Sequence, residues 1–99
     1  MLPNLWELPG GKIMIEESPE LGLKREILEE TGLKVKIIRY VGNTKHQYSH
    51  FKINIGLFIC EFIIGTPKPL KSQEVKWIEK KQIKDFAFPA ATHKLFKLL

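Results

Sequence analysis

An α+β fold, a sandwich of helices around a mixed sheet, is predicted by three observations. The hydrophobic patterns run in the order strands, helix, several strands, helix, an alternation that needs sheet and helix layers on one core. Ninety-nine residues suit one domain, residues 1–99, near the lower size limit for a single core. With 43% hydrophobic and 27% charged residues, the chain has ordinary globular composition, which argues against disorder.

The elements follow in order. Residues 4–8, Asn4-Leu5-Trp6-Glu7-Leu8, alternate apolar and polar and read as a short strand broken by Pro9-Gly10-Gly11. From Lys12 to Glu17, Ile13 and Ile15 alternate with their neighbours in a second extended run. Ser18-Pro19-Glu20 is a helix start: the Ser oxygen accepts from an orphan N–H, Pro fits the first turn, and Glu suits the positive end of the helix dipole. Leu21, Leu23, Ile27 and Leu28 recur at roughly helical spacing until Gly32 offers a left-handed stop. Val35 to Val41 and Phe51 to Ile64 are β-type runs rich in Ile, Val and Phe, and Gly65-Thr66-Pro67-Lys68-Pro69 is a loop. Glu74 to Ile78 reads as another short strand, and Thr92 to Leu99 as a closing helix.

Composition excludes several classes of function. Sixteen Lys+Arg against eleven Asp+Glu give +5 and a pI near 9.4, a balance that attracts phosphates without choosing between nucleotide and nucleic acid. One cysteine, Cys60, forbids an intramolecular disulfide, and the Cys and His are too few for a zinc site. The start Met1-Leu2-Pro3-Asn4 lacks a signal-peptide pattern, and the longest uncharged apolar stretch, Ile53 to Cys60, is far too short to span a bilayer. A cytoplasmic protein with no membrane partner is the expectation.

The chemistry concentrates on the helix after Ser18. Glu26, Glu29 and Glu30 stand at i, i+3 and i+4, so their carboxylates project from one face and repel one another. A hard divalent cation such as Mg²⁺ would relieve that repulsion, taking carboxylate oxygens while keeping positions for water and substrate phosphates. Taken alone, such a triplet is more often a solvated face with lysine partners, and Lys24 and Lys34 are at hand.

Its surroundings change the odds. Residues 11–33 read Gly11, five residues, Glu17, seven residues, Arg25-Glu26-Ile27, one residue, Glu29-Glu30, one residue, Gly32-Leu33. This resembles the signature box of the Nudix hydrolases at every specified position. Seven identities and two aliphatic positions would coincide by chance about once in ten million chains of this length or less, from average residue usage. The resemblance extends through Leu5-Trp6-Glu7-Leu8-Pro9-Gly10-Gly11-Lys12 before the box and the tail after it.

What the resemblance implies is a loop–helix–loop catalytic element on a Nudix-type α/β/α sandwich, using Mg²⁺ or Mn²⁺ to hydrolyse a nucleoside diphosphate linked to another group. Carried over by position, Glu26, Glu29 and Glu30 would be metal ligands, with the Gly10 carbonyl an additional one. Glu17 would pair with Arg25 and hold the helix in place, and Glu29 or Glu30 could orient the attacking water. Glu74 matches the acidic residue that supplies a further metal contact or base in MutT-type members, although a surface Glu opposite Lys76 explains it equally well. Lys12 is positioned to reach a phosphate.

Two flanking segments bear on the substrate. Asp85-Phe86-Ala87-Phe88-Pro89-Ala90-Ala91 looks like MutT-type 8-oxo-dGTP hydrolases, where a Phe-Pro turn feeds residues onto the oxidised guanine; Phe88 and Thr92 would then lie at the base. Lys45-His46-Gln47-Tyr48-Ser49-His50-Phe51 looks more like the C-terminal Nudix-fold domain of adenine DNA glycosylases, with Ser49 and His50 in the slot that recognises 8-oxoguanine. The first implies a nucleoside triphosphate cleaved to monophosphate and pyrophosphate; the alternative is a non-catalytic module whose partner is lesion-containing duplex DNA. Three departures stand out: Glu16 where Gly is usual before the first box Glu, Met14 where an acid is frequent, and Thr92 where many relatives carry a base-reading Asn. The chain also starts almost at the Trp-Glu-Leu-Pro-Gly-Gly segment, so the usual N-terminal strand is expected to be lacking, and a homodimer would compensate for the smaller core.

Overall fold

A computed structural model describes residues 5–99 as two helices, a short 3₁₀ segment and a long β-hairpin, an α+β arrangement. In chain order these are α1 (Pro19–Thr31), β1 (Lys34–Gln47), β2 (Lys52–Ile64), the 3₁₀ segment η1 (Lys80–Asp85) and α2 (Ala90–Phe96). β1 and β2 pair in a two-stranded sheet. Four residues connect them, which only an antiparallel hairpin allows, and the Tyr48 amide donates to the Phe51 carbonyl at 2.7 Å to close the turn. No helix is long and apolar enough, among the described residues, to cross a membrane.

Backbone contacts gather the chain into two compact units. One comprises Pro9–Ile38 and Cys60–Ile78 and therefore contains α1 with the ends of the hairpin strands. Its core is Ile27, Leu33 and Val35, with Leu23 and Cys60 packed against them. The other comprises residues 5–8, Arg39–Ile59 and Glu79–Leu99. Phe88, Ala91 and Leu95 are its buried apolar side chains, and the Trp6 and Phe86 rings meet edge to face at 5.4 Å.

Helix α1 begins and ends where its sequence dictates. Ser18 is the N-cap, its hydroxyl accepting from the Leu21 amide at 3.2 Å, with Pro19 in the first turn. Gly32 closes the helix at φ 75°, and its amide donates to the Leu28 carbonyl. Inside the last turn Thr31 is buried; its hydroxyl donates to the Ile27 carbonyl at 2.6 Å and accepts from the Leu33 amide at 3.2 Å. Both polar ends of this buried hydroxyl are thereby satisfied.

Three short extended runs expected from the sequence do not form strands among the described residues. In residues 5–8 only the Trp6 amide finds a backbone acceptor, the Ala87 carbonyl at 2.8 Å, and one bond is not a ladder. The run Lys12 to Glu17 folds back as a turn instead: the Glu17 amide donates to the Met14 carbonyl at 3.1 Å while the Glu17 carboxylate accepts from the Met14 amide at 2.9 Å. Glu74 to Ile78 stays outside the sheet, following a bend at which the Ser72 hydroxyl donates to the Glu74 carbonyl. The closing helix is shifted to Ala90–Phe96, because Pro89 supplies the N-cap and Leu98 and Leu99 are held by tighter i→i−3 bonds.

The turn at Met14–Glu17 explains one departure in the sequence. Glu16 is the one described non-glycine residue with positive φ, at 71°. The left-handed region costs an L-residue about 1–2 kcal/mol, part of which glycine returns through its larger entropy loss on folding. Glu16→Gly should therefore stabilise the protein by about 0.5 kcal/mol and raise its Tm by about 2–4 °C, which thermal denaturation would reveal.

Candidate active site

The geometry of the acidic helix starts from Arg25. Its Nε donates to Glu17 Oε2 at 2.7 Å and its Nη2 to Glu17 Oε1 at 3.1 Å, a forked pair that locks the loop before the helix onto its middle. The same Nη2 donates to the Lys12 carbonyl at 3.3 Å. Nη1 donates to Glu26 Oε1 at 3.0 Å and to Glu29 Oε2 at 3.2 Å. One guanidinium thus organises three carboxylates. These contacts hold the Glu17 carboxyl below its usual range, first through the bond from Arg25 and then through the Met14 amide, and they raise Arg25 further above its ordinary value.

Glycine lets this cluster close. A Cβ on Gly22 would stand 2.9 Å from Glu17 Oε1, and one on Gly11 would stand 2.6 Å from Glu26 Oε2. Gly22 lies inside α1, where glycine costs about 1 kcal/mol relative to alanine, so its presence reflects the approach of the carboxylate. Sequence reasoning passed over both roles; a glycine in a helix interior was the available signal.

Glu30 is strongly perturbed. Its carboxyl is raised to about 7 by burial, by a hydrogen bond with Glu26 and by the Glu26 charge, against the opposing bond from the Gly10 amide and the charge of Lys71. Gly10 N lies 3.4 Å from Glu30 Oε1. Glu29 faces elsewhere: beyond Arg25 it meets Lys71 Nζ at 3.6 Å. The structure therefore brings Glu26 and Glu30 together beside Gly10 and Gly11, and holds Glu29 on two cations.

This donor set suits a divalent metal. Two adjacent carboxylates, one driven towards its protonated form by its neighbour, gain most from a hard dication. The space beside Glu26 also exists only because Gly11 has no side chain. Among the described residues no three acidic, His or Cys side chains are already gathered for a metal ion. Glu26 and Glu30 would hold it, with the Gly10 carbonyl and Glu29 as the further oxygens on this element. When bound, such a cation neutralises a diphosphate and lowers the pKa of an attacking water.

The remaining candidates lie as follows. Lys12 and Glu74 are exposed and belong to the same unit as the glutamates. Ser49, His50, Phe88 and Thr92 belong to the other. Ser49 and His50 occupy the exposed tip of the hairpin. Phe88 is buried with its ring edge-on to Phe96 at 5.0 Å. Thr92 is buried as well, and its hydroxyl donates to Glu7 Oε1 at 2.7 Å, tying the first turn of α2 to the chain start. Lys71 is a residue that sequence reasoning did not single out.

Removing the Glu17 charge tests the clamp. Glu17→Gln should lower kcat/KM about 10–100-fold, the usual effect of losing a group that orients metal ligands, with weaker activation by the metal as the signature beyond a structural role. The clamp also sets an acid limb. The folded pKa of Glu17 lies below its ordinary 4.5, so its stabilisation is complete above that value and fades as the pH falls through the folded one. Wild type and Glu17→Gln should converge in stability on acidification below 4.5, as urea titrations across that range would show.

The family model described as "NUDIX domain" matches residues 1–98. An 8-oxo-dGTP diphosphatase of Buchnera aphidicola subsp. Acyrthosiphon pisum (strain APS) is 31% identical over 96 residues, covering 97% of this chain and 77% of the relative. An 8-oxo-dGTP diphosphatase of Haemophilus influenzae is 32% identical over 93 residues, covering 94% of this chain and 68% of the relative. Among solved structures, the MutT protein from Methanosarcina mazei Go1 matches with a TM-score of 0.81 at 26% identity, over 94% of this chain and 69% of that one. With the full signature box in place on a helix clamped by its own Arg and Glu, the chain belongs to the Nudix family as a MutT-type hydrolase.

Proposed function

We propose that this hydrolase cleaves a purine nucleoside triphosphate, 8-oxo-dGTP foremost, to the monophosphate and pyrophosphate in the cytoplasm, with Mg²⁺ as its cation and Mn²⁺ as a substitute. The reaction adds water across a P–O–P bridge: the water oxygen joins phosphorus, the bridging P–O bond breaks, and the departing phosphate takes the electron pair. The observation that supports this reading best is the Glu26–Glu30 carboxyl pair beside Gly10 and Gly11 on a helix fixed by Arg25 and Glu17. Glu26 and Glu30 would hold the cation that lets carboxylates accept a triphosphate, so turnover should need the metal absolutely. Glu29, held by Arg25 and Lys71, would orient the attacking water as well as offer the cation an oxygen. Lys12, and Lys71 from the chain after β2, are cations of the same unit that could reach phosphate oxygens.

The names of the relatives support the substrate class, since both bacterial proteins above are 8-oxo-dGTP diphosphatases, and a Mus musculus relative, 32% identical over 80 residues, is an oxidized purine nucleoside triphosphate hydrolase. The test is a nucleotide panel of dGTP, 8-oxo-dGTP and ADP-ribose with Mg²⁺. Preference for 8-oxo-dGTP over dGTP supports the reading; preference for ADP-ribose would replace it.

A further inference from the structure

A hollow of about 460 Å³ in the unit containing η1 and α2 has a chemistry unlike that of the glutamate helix. Lys80, Lys81, Lys84 and Lys97 line it, together with Ile83, His93 and Phe96. The hollow is wide open to solvent, and its four exposed lysines give it an excess of positive charge. Lys81 is paired with Glu79 at 3.2 Å. Among the described residues, Lys80, Lys84 and Lys97 have no carboxylate within ion-pair distance. Such a concentration of unpaired cations raises the local potential and calls for an anion carrying several charges.

The rest of the lining narrows the ligand further. Phe96 is half-buried and fixed edge-on by Phe88 at 5.0 Å and by His93 at 6.0 Å, which makes it a held aromatic surface rather than a loose one. Ile83 adds an aliphatic contact from η1. A free phosphate would use the lysines and waste the apolar lining, whereas a ligand joining a flat aromatic body to phosphates uses both. The lining contains no carboxylate, so binding here requires no divalent cation.

We propose that this hollow is a metal-independent binding site for a nucleoside phosphate, taken up free or as one unit of a single strand. It is independent of the hydrolytic reading, because its residues are none of the Nudix box.

The test is binding in EDTA at low salt, with fluorescent dTTP and a fluorescent dT10 strand as probes. Saturable binding by either probe is expected, falling as salt rises. Amide shifts should be confined to 80–84 and 93–97. The double variant Lys84→Glu/Lys97→Glu should lose at least tenfold in affinity. Lys34→Glu/Lys36→Glu, the same charge change on exposed positions of β1, should lose little. Glu30→Gln should bind as wild type does, which separates this site from the hydrolytic one. Tighter binding of dT10 than of dTTP assigns the strand as the source, and equal binding assigns the free nucleotide. No saturable binding of either probe in EDTA, or equal losses in the two double variants, would overturn the proposal.

Discussion

Glu30→Gln is expected to lower turnover of the preferred triphosphate by about 10²–10³-fold or more, the range seen when one charge-stabilising group is removed from an active site, while leaving thermal stability at the wild-type level. The substitution keeps the volume of the side chain and an oxygen that can accept from the Gly10 amide 3.4 Å away. It removes a charge crowded against Glu26, so the metal-free fold has no reason to weaken. The lost property is the charge a divalent cation requires. Metal titrations should show a far higher concentration for half-activation, alongside the fall in rate. A variant that unfolds would mean Glu30 is structural; one that turns over normally would remove it from the site.

Gly65→Ala is expected to have the largest effect on stability. Gly65 sits at φ 122°, and a Cβ there would stand 2.9 Å from the Gly32 carbonyl oxygen and 3.4 Å from Leu33 Cα. Both neighbours are backbone, and Gly32 is committed as the left-handed cap of α1, so neither yields cheaply. A cost of about 2–3 kcal/mol follows, which for a chain of this size lowers Tm by about 10–20 °C. Gly56→Ala is the control, because its new Cβ would meet only side chains at 3.5 and 3.6 Å, an ordinary contact. Circular dichroism melts of the two should separate widely; similar melting would show that the close approach of Gly65 to Gly32 is not a constraint.

Much of α1 was legible in the sequence because its signals are local. The Ser18 cap, Pro19 in the first turn and the Gly32 stop each act within four residues, and all three take those roles. The hairpin strands were legible as runs of Ile, Val and Phe, yet β1 continues to Gln47 through Gly42 and Asn43, which carry no strand signal of their own. Pairing with β2 supplies what propensity lacks, including the Asn43 amide donating to Asn54 Oδ1 at 2.6 Å. The short strands failed for the complementary reason: alternation in Ile13 and Ile15 competes with a carboxylate that captures the local backbone, and Ile15 ends 95% exposed.

The site divides along the same line. Residue types and spacing placed Glu26, Glu29 and Glu30 on one face, but spacing says nothing of which neighbours claim each carboxylate. That Glu29 turns to Arg25 and Lys71 while Glu26 and Glu30 crowd together depends on where the chain after Gly65 returns, and Lys71 is 42 residues from Glu29 in sequence. Likewise the part-buried bond from Thr92 to Glu7 joins positions 85 residues apart. It gives this Thr a partner within the fold, a role no local pattern announces.

If the clamped glutamate helix is a metal-dependent pyrophosphohydrolase centre, purified, folded protein should release both products from 8-oxo-dGTP, which one assay can follow together. The expected products are 8-oxo-dGMP and pyrophosphate in equal amounts with Mg²⁺, none with EDTA, and almost none from Glu30→Gln. Folded wild-type protein that releases neither product from any nucleotide of the panel, or a Glu30→Gln variant that keeps wild-type turnover, would contradict it.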